Sequence, residues 1–282
     1  MKTGFSAYKE YLDERVKCYP LIHEMISFYK GLFDIWDEAQ PDDLSPLLVL
    51  ERLSRRRPVL DIGKIGDVDF KNSADTAKRI FTWMEGLKEK KAMGMIGLPM
   101  KEIVNFITES LSREDRFKNA PLKWILKPSF RYTLEAFNLP MGKGDEGRYL
   151  WGVGGVGRCP ICYSPPGMAQ IGRMTQEETE RRYLSCCFCG YQWLFDRFAC
   201  PACGNDQPEK LGFFVGESSC DQGTRAVSCE ECKTYIKTIF TTGREDSKTP
   251  MDLDMDIEDV ATIPLDIIAD QRGYTALCQR ST

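Results

Sequence analysis

Twelve cysteines stand in this chain of 282 residues, and eight of them fall into four C-x-x-C pairs: Cys159/Cys162, Cys186/Cys189, Cys200/Cys203 and Cys229/Cys232. Redox exchange, disulfide stapling and metal binding all use such pairs. Spacing favours the metal. Two residues between cysteines let a tight turn aim both sulfurs at one point, and two such turns complete a tetrahedron about 2.3 Å from an ion. Gly190 and Gly204 directly follow their pairs, where left-handed backbone is often needed, and Pro160 and Pro201 pre-set one turn dihedral inside theirs. A thioredoxin-like dithiol needs a helix after its pair, whereas the segments that follow here, YQWLF and TYIKTIF, are β-prone. Stapling belongs to oxidising compartments, and the opening MKTGFSAYKEYLDERV lacks the apolar run of a secretory signal. A cytoplasmic location is therefore expected.

The first and third pairs lie 41 residues apart (159 to 200) and the second and fourth 43 (186 to 229), the outline of an internal duplication. Each copy reads pair, hairpin, pair, strand. Sequential pairing respects the duplication. The competing scheme joins the second and third pairs in CCFCGYQWLFDRFACPACG, like a compact rubredoxin, and leaves the outer pairs to meet across residues 163 to 228. Four thiolates suit zinc or iron, so two metal ions, each bound by four cysteines, are expected. Eight thiolates add −8 and two divalent ions +4, which moves the formal charge from −4 to about −8. Cys187 lies inside a knuckle, Cys220 reads as a turn residue, and Cys18 and Cys278 as ordinary small side chains.

The elements that carry these pairs come in two kinds. Up to about residue 150 the pattern is helical. Leu21, Ile22, Met25, Ile26, Tyr29, Leu32, Phe33 and Trp36 recur at helical spacing; Ala77, Ile80, Phe81, Met84 and Leu87 make a second face, and Ile103, Phe106, Ile107 and Leu111 a third. Ser45-Pro46 is expected to open a short helix, residues 56–70 to form a long connection, and PSFRYTLEAFNL to form a last helix between Pro128 and Pro140. The single histidine, His23, lies off its stripe and reads as a surface residue, and Arg55–Arg57 as a solvated run. After Pro140 glycine rises, and Gly152–Gly157 reads as a hinge rather than a phosphate loop, having no Walker lysine. The expected fold is α+β: an N-terminal helical bundle (1–150), a first four-cysteine rubredoxin-like or zinc-ribbon module (156–198), then a second (199–282) with a C-terminal helix. The acidic stretch MDLDMDIEDV reads as a solvated lead into that helix.

Net charge of −4 does not favour nucleic acid, and no apolar run reaches the roughly 18–20 residues of a membrane span. One histidine leaves no Ser-His-Asp machinery to assemble, so no catalytic residue is expected.

The chain resembles the formate dehydrogenase accessory protein FdhE family. The residues that carry the resemblance are RRYLSCCFCGYQWLFDRFACPACGN (Arg182, Tyr183, Leu184, Trp193, Arg197), CEECKTYIK (Tyr235, Lys237) and EDVATIPLDIIADQRGY (Asp259, Leu265, Asp266). Less specifically, ERVKCYPLIHEMISFYKGLFDIWDEAQ is similar to the family's first helices. Tyr163 stands where the family usually has glycine, Glu258 where it has aspartate, and Pro264 falls in a normally smoother helix. The resemblance implies a non-enzymatic cytoplasmic maturation factor that binds the catalytic subunit of a respiratory formate dehydrogenase before export, with iron at the cysteine pairs. Tyr191, Trp193, Phe195 and Arg197 are candidate client contacts, unless the aromatics simply pack the hairpins. A nucleic-acid-binding zinc ribbon and a rubredoxin-like one-electron carrier are the competing readings.

Overall fold

The computed structural model describes residues 8–52, 58–87, 99–113, 115–137, 157–173, 179–216, 218–221, 223–241 and 254–279. Arg55–Arg57, Gly152–Val156 and residues 251–253 of the acidic stretch lie outside them.

Five helices form the base: α1 (Lys9–Cys18), α2 (His23–Glu38), α3 (Lys71–Gly86), α4 (Met100–Ser112) and α5 (Ala120–Ala136). Their apolar faces meet in one core through Leu12, Ile26, Phe33, Ile80, Ile107 and Phe130. The stripe expected at the start of α2 is only partly buried. Residues 20–22 take a 3-10 turn, which shifts the phase, so Leu21 is 98% exposed and Met25 nearly half. His23 is exposed, as expected.

Ser45-Pro46 opens a single 3-10 turn, Ser45–Leu47, and caps nothing; the Asp43 carboxylate instead accepts the Ser45 N–H at 2.8 Å. Asp42, buried, accepts the Asn72 and Ser73 N–H groups at 2.9 and 2.7 Å and so closes the N-terminus of α3 from another segment.

The last base helix starts eight residues before Pro128, a correction to its expected boundary. Asn119 caps it, accepting the Leu122 N–H at 3.0 Å, and Pro128 sits in its middle. A proline there has no N–H for the carbonyl of Trp124. That carbonyl accepts the Trp36 indole N–H at 2.7 Å, which satisfies it from α2.

The two cysteine-bearing copies supply three strands each: β1 (Pro166–Gly172), β2 (Arg181–Cys186) and β3 (Gln192–Phe195), then β4 (Leu211–Phe214), β5 (Thr224–Cys229) and β6 (Thr234–Phe240). Each copy is an antiparallel meander, and they merge into one mixed sheet of order β3-β2-β1-β6-β5-β4. The junction is parallel, β1 against β6 from Met168↔Lys237 to Ile171↔Phe240. A two-residue β7 (Thr275–Ala276) continues along the same edge of β6.

The C-terminal helix is split at Thr262 into α6 (Met255–Ala261) and α7 (Ile263–Gln271), with Pro264 in the first turn of the second, where a proline is tolerated. The acidic residues of α6 are not a solvated lead. Asp256 pairs with Lys127 at 2.7 Å and Asp254 with Arg131 at 2.9 Å, both cations on α5. On its other side Lys237 of β6 bonds Asp259 and Asp266, each at 2.7 Å, and Tyr235 donates to Asp266 at 2.7 Å. Burial opposes the Lys237 charge, but these two carboxylates outweigh it and hold the ammonium above its ordinary range. Thus α6 and α7 are bolted to both the base and the sheet.

Candidate metal centres

Each C-x-x-C pair is a turn whose geometry repeats. The residue after the second cysteine has positive φ in all four knuckles: Tyr163 (+66°), Gly190 (+78°), Gly204 (+76°) and Lys233 (+53°). Its N–H, where the turn closes back, bonds the carbonyl of the first cysteine: Tyr163 to Cys159 at 2.9 Å, Gly190 to Cys186 at 3.2 Å, Gly204 to Cys200 at 2.8 Å. Glycine reaches that conformation without steric cost, whereas Tyr163 and Lys233 bear it as strain.

The knuckles meet in sequential pairs. Sγ atoms of Cys159, Cys162, Cys186 and Cys189 lie within 4.8 Å of one another, and so do those of Cys200, Cys203, Cys229 and Cys232. In the first group Cys159–Cys189 is 3.6 Å and Cys162–Cys186 is 3.4 Å; in the second, Cys200–Cys232 and Cys203–Cys229 are both 3.7 Å. A tetrahedron with metal–sulfur bonds of about 2.3 Å has edges of about 3.8 Å. Both groups therefore have the donor chemistry and the size for one ion of zinc or iron.

Backbone N–H groups point at the sulfurs as well. Ile161 and Phe188 donate to Cys159 and Cys186, and Ala202 to Cys200, each at 3.4 Å; the Thr234 hydroxyl lies 3.0 Å from the Cys232 sulfur. Such donors favour thiolate over thiol. Burial pushes the Cys159 and Cys189 thiols up, yet hydrogen bonds from the neighbouring thiols outweigh it at Cys186 and hold that thiol well below its ordinary value. Negative charge focused among four buried sulfurs calls for a cation.

The two centres differ in setting. All four cysteines of the first are buried and belong to the core that fills the helical base, together with Ile161, Leu184, Phe188 and Trp193. The connection after the second helix grips it: Val59 and Leu60 N–H groups donate to the Pro160 and Ile161 carbonyls at 3.0 and 2.8 Å, and Arg116 donates to the Cys162 carbonyl at 2.6 Å. In the second centre Cys203 is exposed and Cys232 half-buried.

Of the two readings open for the aromatics, hairpin packing holds: Trp193, Phe195 and Tyr191 are 0%, 1% and 3% exposed. Arg197 reaches the surface, bonded to Glu180 at 3.0 Å. Exposed apolar side chains on the two ribbons include Phe198, Phe213, Val215 and Tyr163. Cys18 and Cys220, read as unrelated, are joined in a disulfide across 202 residues. Beside it Arg15 bonds the Asp221 carboxylate and the Ala261 carbonyl, both at 2.7 Å, so α1 is clamped to the second copy and to α6. No local pattern in the sequence signals Arg15, Arg116 or Val59–Leu60, because their partners come from other elements.

Fold and centres together define a helix-mounted, duplicated four-cysteine ribbon. Residues 158–197 match the model of the FdhE central domain. Curated relatives include a protein FdhE homolog of Aquifex aeolicus, 35% identical over 117 residues (41% of this chain, 38% of that one), and protein FdhE of Escherichia coli, 33% identical over 150 residues (51% and 41%). The matched region thus spans about two fifths of those relatives. The crystal structure of the FdhE protein from Pseudomonas aeruginosa has the same fold, with a TM-score of 0.62 over 98% of this chain and 94% of that one at 18% identity. The resemblance to the FdhE family is borne out. Among the described residues no helix is long and apolar enough to cross a membrane.

Proposed function

We propose that the protein is a cytoplasmic accessory factor, not an enzyme, which binds the catalytic subunit of a respiratory formate dehydrogenase during its assembly. Cys159, Cys162, Cys186 and Cys189 hold one metal ion; Cys200, Cys203, Cys229 and Cys232 hold a second. Each is iron or zinc. The working units are the helical base (1–150) and the modules 156–198 and 199–282, the latter with the C-terminal helices. The observation that carries this reading is the FdhE central-domain match falling on the first module, with a second four-cysteine group built to the same plan.

The physical role of the ions is to fix modules with little core of their own. Among the described residues the second copy's own apolar cluster is small, Phe214, Ala226, Tyr235, Leu265 and Ala269, and Ile236 joins the main core instead, so metal binding supplies a large share of its folding energy. A ribbon locked in this way presents fixed surface features to a client, with Phe198 (70% exposed) and Arg197 at the tip after β3. The test is affinity capture of the metal-loaded chain with the formate dehydrogenase catalytic subunit of the same organism. Co-purification of that subunit is expected, and a folded, metal-loaded chain that fails to retain it would overturn the proposal.

A further inference from the structure

Arg182 is 3% exposed, and its Nε and one terminal nitrogen, both buried, have no hydrogen-bond partner. The other terminal nitrogen donates to the Ala199 carbonyl at 2.9 Å, immediately before Cys200. A second contact, to the Asp196 carbonyl, is long at 3.5 Å. The Asp196 carboxylate is engaged elsewhere, by the Phe198 N–H at 2.8 Å. Burial depresses the guanidinium to about 10, with the Cys200 sulfur and Asp196 acting against it, so it carries its charge at neutral pH. A cation so placed is costly unless a negative group faces it.

The negative group belongs to the second centre: Arg182 lines the same small cleft as Ala199, Cys200 and Cys229, and the Cys200 sulfur is close enough to act on the guanidinium electrostatically. Four thiolates around a divalent ion carry a net charge of −2, or −1 if the ion is trivalent. The duplication supplies a control within the same molecule. Counted back from the second knuckle of its copy, Arg225 holds the register position of Arg182, four residues before the cysteine. Arg225 is half-buried and stacks between Phe213 and Phe240, 4.6 Å from each ring. Arg182 has one ring beside it, Phe195 at 5.9 Å, so the two copies differ in that Arg225 is held between two close rings while Arg182 is left with two buried, unpartnered nitrogens beside the second centre.

We infer that Arg182, a residue of the first module, is the buried counter-charge of the second metal centre and positions its Cys200 knuckle through the Ala199 carbonyl. This rests on the reading that the second four-cysteine group binds metal. The first module would then set how tightly the second holds its ion.

The experiment compares full-length wild type, R182Q, R182K and R225Q, each loaded with Zn²⁺ and titrated with a chelator of known affinity. Co²⁺ substitution reports thiolate coordination at each site, and far-UV circular dichroism reports folding. Expected is at least a tenfold loss of affinity at the second site in R182Q, with most of it restored in R182K, an unchanged first site, and wild-type behaviour in R225Q. Equal losses in R182Q and R182K would overturn the counter-charge role, as would unchanged affinity in a folded R182Q. If R182Q does not fold, R182K decides: near-wild-type affinity supports the charge, a tenfold loss refutes it. Wild type that binds fewer than two ions refutes the metal reading itself, a separate failure.

Discussion

The unequal setting of the two four-cysteine groups predicts unequal release of the ions proposed for them. To free a sulfur of the first centre the Cys159–Cys162 knuckle has to swing out. That motion breaks the Val59–Pro160, Leu60–Ile161 and Arg116–Cys162 hydrogen bonds. At about 1 kcal/mol net for each, the opened state costs about 3 kcal/mol, on the order of a hundredfold in population. The second centre needs no such opening, since Cys203 already faces solvent. Protein carrying two ions, mixed with excess chelator and followed by absorbance of the chelate, should release one equivalent quickly and the other about a hundredfold more slowly. Cys203→Ser should abolish the fast phase alone. A single phase releasing both ions, or loss of the slow phase in Cys203→Ser, would refute the reasoning.

Other outcomes follow from single residues. Gly204→Ala has open space around its β-carbon but keeps φ at +76°, so it should lose about 1 kcal/mol of stability in denaturant titration, all of it from backbone strain. Removing the Lys237 ammonium in Lys237→Met leaves the part-exposed Asp259 and Asp266 carboxylates without their shared cation; a loss of about 1–2 kcal/mol is expected, with hydrogen exchange rising first in α6 and α7. Asp42→Ala uncaps α3 and should cost about 1–2 kcal/mol, seen as a lower Tm with unchanged metal content. The Cys18–Cys220 link closes a very long loop, worth up to about 5 kcal/mol in the chain-entropy model. Cys18→Ser should therefore lower Tm in oxidising buffer and leave it unchanged under reducing conditions, where Arg15–Asp221 still holds the contact.

What was legible in the sequence was whatever is encoded locally. Cysteine spacing and the glycines after two knuckles announced the turns, and the near-equal intervals announced the duplication and hence sequential pairing. The Ala77–Ile80–Phe81 and Ile103–Ile107–Leu111 faces were equally plain and are buried. Misreadings occurred where a distant partner changes what a residue means. Pro128 looked like a boundary because its missing N–H is tolerable inside a helix only if Trp36, on another helix, fills the vacated carbonyl. The acidic stretch looked solvated because Lys127, Arg131 and Lys237, which neutralise it, lie more than fifteen residues away in sequence. Trp193 and Phe195 fit both a client anchor and a hairpin core in the sequence, because aromatic type is shared by interfaces and cores, and only their burial separates the two.

The parallel junction of β1 with β6 means that the two copies stack by translation, like bricks in a course, and not about a twofold axis. A course of bricks has unlike ends and never closes by itself. Cutting the chain between its two repeats would therefore strip β1 of its neighbour and leave a row of bare amides and carbonyls, so the later brick also serves as weatherproofing for the earlier one.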